Sequence, residues 1–188
     1  MSEPTPRPVL VTGNPSKLLE ARRLLPHLEA TEIDLPEIQS LDLDEVLRYK
    51  GRQAYDRIGA PVIVEETGLE LSALGGFPGP LIKWMLQSVG PEGLARIVVT
   101  QGDPRAKAIC ALLYTDGERQ ITARGMTAGR LVLPPRGAEG FGWDPVFQPD
   151  ESSCTYGEMS PKEKDAISHR GHAWRAFARA LDAELIET

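Results

Sequence analysis

The sequence predicts an α/β fold built on a mixed β-sheet with flanking helices. Two observations carry this. In the first half, short apolar runs alternate with helical patterns; in the second, two longer strand-like runs meet at an Asp-Gly pair, a hairpin signal. In order, residues 8–12, "PVLVT", read as a buried strand that leads through "GNPSK" into a helical pattern over "LLEARRLL". A second short strand fits "ATEIDL". Over 44–58 the apolar spacing suits a helix, which delivers the chain to a four-residue strand at 61–64, then two carboxylates and a Thr-Gly turn. Glycines and prolines at 74–80, "LGGFPGP", make a turn before two helical stretches, "LIKWMLQSV" and "PEGLARIVV". "AKAICALLYT" and "RQITARGMTAGRLV" are the hairpin strands around Asp116 and Gly117. The last helix is expected to start with Ser168 as its N-cap, with Ala173, Trp174, Phe177, Leu181 and Leu185 as its core face.

The 188 residues fit one domain, 1–188, and 41% hydrophobic with 26% charged residues is a folding composition. A net charge of −6 argues against a nucleic-acid polymer as partner, yet a few cations and a metal in one cleft can hold a single nucleotide. The N-terminal residues lack a secretory pattern and no apolar run approaches a membrane span, so a cytoplasmic protein with no membrane partner is expected. Two cysteines, Cys110 and Cys154, make no disulfide framework.

Four stretches carry chemistry-bearing residues. In "VLVTGNPSK", Asn14 is an N-cap, Pro15 the first helical residue and Lys17 a first-turn cation. A helix start with free N–H groups and an added positive charge binds phosphate; the alternative is a well-capped helix with a solvated lysine. In "PVIVEETGLEL", neighbours on a strand point to opposite faces, so Glu65 and Glu66 cannot both decorate one surface. One of them looks into something that wants negative charge. Glu37, in "DLPEIQ", is an exposed loop acid by itself; with the acids of "VEETG" it completes a Mg²⁺ site of carboxylates plus phosphate oxygens. Lys50 lies on the helix between them and either points at the same phosphates or is solvated.

"GFGWDPVF", 140–147, sets two aromatics among glycines. It is either a flat wall for stacking a base, with Asp144 orienting something polar, or a loop tucked under the core by Phe141 and Trp143. Lys164, His169 and Arg170 gather cations around a helix N-terminus, against the dipole, which suggests an anionic or carbonyl-bearing partner. His172 reads as a surface histidine, not a metal ligand.

Taken in order, "TGNPSK", "DLPEIQ", "YKGRQAY", "LGGFPGPLIKWML", "FGWDPVFQPD" and "EKDAISHRGHA" resemble the inosine triphosphate pyrophosphatase family over nearly the whole chain. The resemblance implies an elongated two-lobed fold around a long central mixed sheet, an active-site cleft between the lobes, and a homodimer. It implies Mg²⁺-dependent hydrolysis of ITP, dITP and XTP to monophosphate and pyrophosphate. Carried over by position, Thr12, Gly13, Asn14, Lys17 and Lys50 hold the phosphates, and Glu37 and Glu66 serve the metal. Glu66 and Lys17 are the catalytic pair, with Thr67 on the substrate. Phe141, Gly142, Trp143 and Asp144 wall and orient the base, and Lys164, His169 and Arg170 complete its recognition. The sequence departs from the family at Glu66, where the pattern "(E/D)D(S/T)G" has Asp and this chain reads "EETG". The extra methylene leaves three readings: a tolerated variant with a repositioned metal, a handicapped base, or a deliberate substitution. The alternatives in function are a pyrophosphatase for other nucleotides and a catalytically weak nucleotide binder.

Overall fold

The computed structural model describes residues 7–186. Seven strands form one mixed sheet in the order β2-β1-β3-β5-β6-β7, with β4 paired to β3 off that path. β1 (Val9–Val11) lies between β2 (Glu29–Thr31) and β3 (Val62–Leu71), parallel to both. Parallel neighbours need crossovers, and α1 (Pro15–Leu24) and α2 (Leu43–Ile58) supply them. β4 (Pro78–Gly79), β5 (Arg105–Thr115), β6 (Gln120–Leu131) and β7 (Phe147–Pro149) all join antiparallel.

Local chemistry sets the element ends as the sequence suggests. The Asn14 side chain accepts from the N–H groups of Ser16 (3.0 Å) and Lys17 (3.2 Å), and Pro15 opens α1. Asp42 caps α2, and Gly59, at φ 68°, closes it. α3 (Ile82–Thr100) breaks at Gly90 (φ 67°) before Pro91, giving the two expected helical stretches. The β5–β6 loop is fastened by Asp116, whose carboxylate accepts from the N–H groups of Glu118 (3.1 Å) and Arg119 (2.7 Å). Ser168 separates α4 (Pro161–Ile167) from α5 (His169–Ile186), and its Oγ accepts the Gly171 N–H at 3.0 Å, the expected cap.

One expectation fails. No turn follows the "PVIV" strand: β3 runs on through both carboxylates, Thr67 and Gly68 to Leu71, paired with β5 along its whole length. Gly68 serves close packing instead, because a Cβ there would stand 3.1 Å from the Gly79 carbonyl carbon on β4.

The sheet separates two packed faces. Val62, Val64, Ile109, Ala111 and Leu113 pack with α2, while Ile63, Cys110, Leu112 and Tyr114 pack with Ala173, Trp174 and Phe177 of α5. Leu181 packs partly buried at the edge of that cluster, and the Leu185 side chain lies outside the described residues. Further along, Leu69, Leu71, Ala106 and Ala108 meet α3 and the segment carrying Trp143 and Tyr156. Among the described residues no helix is long and apolar enough to cross a membrane.

Candidate functional site

A cavity of about 600 Å³ gathers every residue carried over from the resemblance except Lys164, and Glu65 does not line it either. The start of α1 forms one end, the 141–144 loop and the start of α5 the other, and β3 passes between them.

Strand alternation decides what the paired acids do. Glu66 projects toward α2, where Lys50 Nζ donates to its Oε1 at 2.6 Å and to the Glu65 carbonyl oxygen at 3.1 Å. Burial works against charge on Glu66, but Lys50 and then Lys17 outweigh it, so the carboxyl sits below its ordinary pKa and stays ionised. Burial also opposes charge on Lys50, and Glu66 reverses the outcome, so its pKa is raised. Glu65 projects the other way and is 2% exposed. It accepts from Arg170 Nε and Trp174 Nε1, each at 3.1 Å, and its Oε1 lies 3.5 Å from Lys17 Nζ.

The far end is a buried ion network. Lys164 Nζ donates to Asp144 Oδ2 (2.6 Å) and Glu20 Oε1 (2.8 Å); Arg170 Nη1 donates to Glu20 Oε2 (2.5 Å). Asp144 also receives the Phe141 N–H at 2.6 Å, which pins the loop. Desolvation would raise the Glu20 carboxyl, yet Arg170 and Lys164 hold it below its ordinary value. Asp144 goes the other way: burial outweighs Lys164 and its carboxyl is raised. Two of the cations expected around the start of α5, Lys164 and Arg170, thus find anions inside the protein. Lys164, 3% exposed, lies behind the cavity wall.

The two readings of the aromatic loop both apply to Trp143, which packs into the core and also lines the cavity. Phe141 is half-buried in the cavity, with Lys164 Nζ 5.0 Å and Arg170 Cζ 5.2 Å from its ring centroid. His169 lies 6.0 Å from both the Trp143 and Tyr156 rings, and neither ring nitrogen has a hydrogen-bond partner. Burial and the nearby cations push its pKa well down, so the imidazole is neutral.

Glu37 is exposed and held by Lys83 Nζ at 3.0 and 3.2 Å. Sequence reasoning missed Lys83 and Glu20 as site residues and read Trp174 only as part of the core face. Lys83 had a signal, a cation just after a Gly/Pro turn at a helix start. Glu20 had none, because its partner Arg170 is 150 residues away. Among the described residues, no group of three or more His, Cys, Asp or Glu side chains could hold a metal alone.

The protein-family model described as "Ham1 family" matches residues 8–180. Among solved structures, a HAM1 protein from Coxiella burnetii is 28% identical, with a TM-score of 0.77 over 96% of this chain and 98% of that one. A Mycobacterium abscessus protein described as a nucleoside-triphosphatase, dITP/XTP pyrophosphatase, is also 28% identical, with a TM-score of 0.68 over 95% and 99%. The Staphylococcus aureus Ham1 protein, at 22% identity, shares the fold with a TM-score of 0.74 over 95% and 100%. The chain belongs to the Ham1 family, the ITP/XTP pyrophosphatases that its ordered motifs resemble.

Proposed function

We propose that the protein is a Mg²⁺-dependent pyrophosphatase that hydrolyses ITP, dITP and XTP to the nucleoside monophosphate and pyrophosphate, clearing deaminated purines from the nucleotide pool. One observation carries the reading: a single cavity joins a capped, lysine-bearing helix start and the Lys50–Glu66 pair to a half-buried phenyl ring backed by a buried guanidinium. The first end suits a triphosphate and the second a purine. A protein that is only a binder has less use for a half-buried carboxylate held ionised beside two lysines.

Attack of water on the α-phosphorus, with pyrophosphate leaving, needs charge neutralisation and alignment more than covalent help. The N–H groups at the start of α1 receive phosphate oxygens, and Lys17 and Lys50 bring full charges. Lys83 adds a third cation at the cavity wall. Glu37 and Glu66 fit Mg²⁺, which is held by one or two carboxylates completed by substrate oxygens. Bound there, Mg²⁺ would neutralise the charge that develops on the phosphates. Glu66, held ionised, suits holding the metal and orienting water better than storing a proton.

At the base end, Phe141 offers a stacking face. Arg170 can only donate hydrogen bonds; Glu65 and Glu20 take Nε and Nη1, which leaves Nη2 to meet a 6-oxo group and mismatch a 6-amino group. A homodimer accords with the family, and free thiols at Cys110 and Cys154 support a reducing, cytoplasmic location. The test is product release at saturating Mg²⁺ from ITP, with ATP and GTP alongside. Fast, ITP-selective formation of pyrophosphate is expected. No turnover of ITP, by this chain or by its Glu66→Asp variant, would remove the substrate assignment.

A further inference from the structure

Glu65 does not line the cavity but contacts one lining residue from each of its ends, Lys17 and Arg170. It neighbours Glu66 on β3 but faces the opposite side of the sheet, buried against Lys17 of α1 and Arg170 and Trp174 of α5. One oxygen, Oε1, receives Arg170 Nε at 3.1 Å from the base end and stands 3.5 Å from Lys17 Nζ at the phosphate end. The other, Oε2, is held by the Trp174 indole N–H at 3.1 Å, and Trp174 is fully buried. These contacts fix the carboxylate, and the Glu65 backbone is paired with Leu112 of β5. Two cations from opposite ends of the cavity are thus referenced to one atom, Glu65 Oε1.

We propose that Glu65 is a positioning residue that sets the spacing between the Arg170 guanidinium and the Lys17 ammonium, and thereby makes hydrolysis depend on which purine is bound. The inference rests on the pyrophosphatase reading above. A nucleotide whose triphosphate is seated on Lys17 delivers its base at a set distance. With Arg170 held at the matching distance, a 6-oxo group gains a donor, while a 6-amino group meets donor against donor and leaves buried groups unpaired. If the shared carboxylate loses its charge or retracts, Arg170 keeps Glu20 as its anchor and can withdraw from the base. The mismatch with adenine is then relieved. A residue that only supports the fold would slow every nucleotide in proportion.

The experiment measures kcat/KM for ITP and for ATP with the intact protein, Glu65→Gln and Glu65→Asp, with the cooperative thermal transition as a check of folding. Glu65→Gln keeps length and an acceptor but lacks the charge. Glu65→Asp keeps the charge and retracts the carboxylate, so it carries the test should the glutamine variant not fold. The ITP:ATP ratio is expected to fall by on the order of tenfold or more, through a loss on ITP and little or no loss on ATP. A folded variant that loses activity on both nucleotides equally would overturn the positioning role while leaving the pyrophosphatase reading intact. Absence of ITP hydrolysis by the unaltered protein would instead strike that reading and this inference with it.

Discussion

At the scale of single residues, the divergent position is Glu66, where the family's pattern has Asp. The structure is built around the longer side chain: its carboxylate reaches Lys50 at 2.6 Å while Lys50 also holds the Glu65 carbonyl oxygen. Shortening it by a methylene opens that contact. Glu66→Asp is therefore expected to lower kcat on ITP by roughly tenfold to a hundredfold, the range for misplacement by about 1 Å. Steady-state kinetics check this; a faster aspartate variant would mean the glutamate is a handicap. The sequence made the alternation of Glu65 and Glu66 legible, because a strand's period of two is local. It did not show which carboxylate meets which cation. Arg170 lies 105 residues from Glu65, and only the folded sheet brings them together.

At the scale of elements, the base end depends on how closely α5 approaches β6. Gly125 on β6 makes room, since a Cβ there would run into the His169 carbonyl and the Ala173 N–H. Backbone cannot step aside as a flexible side chain can. Gly125→Ala is expected to cost about 2 kcal/mol or more of stability and to shift the start of α5, which carries His169 and Arg170. Urea unfolding with parallel ITP kinetics measures both effects, and an unchanged midpoint would mean that α5 docks with slack. Sequence reasoning found α1, α2, the hairpin and the Ser168 cap because capping residues and periodicity are local signals. It ended β3 too early because Thr-Gly reads as a turn; the glycine is there for the approach of β4, a tertiary cause.

At the scale of the whole molecule, one buried network ties α1, β3, the 141–144 loop, α4 and α5 together through Glu20, Glu65, Asp144, Lys164 and Arg170. Removing a member of a buried pair leaves an uncompensated charge. In Glu20→Gln, however, Lys164 keeps Asp144 and Arg170 keeps Glu65. A loss of roughly 3 kcal/mol, the low end for such pairs, is expected at neutral pH. The Glu20 carboxyl is held below its ordinary value of 4.5, so its contribution is complete above that pH and is lost as the pH falls through the lowered value. Asp144, raised by burial, titrates in the opposite sense, so the difference between the two proteins isolates Glu20 better than either curve alone. Thermal midpoints against pH should show a constant gap above pH 4.5 that narrows below it. A gap independent of pH would mean that Glu20 acts through packing alone. The mixed sheet and most cavity-lining residues were legible in the sequence; this network was not, since its ion pairs span 20 to 150 residues of chain.

Attack of water on the α-phosphorus is tested most directly by ITP hydrolysis in ¹⁸O-labelled water with mass analysis of both products. The label is expected in the inosine monophosphate, with unlabelled pyrophosphate released. Label in the pyrophosphate would place the attack on the β-phosphorus, and label in inorganic phosphate would mean cleavage of the terminal anhydride. Either result would contradict the arrangement of Lys17, Lys50 and Glu66 proposed here.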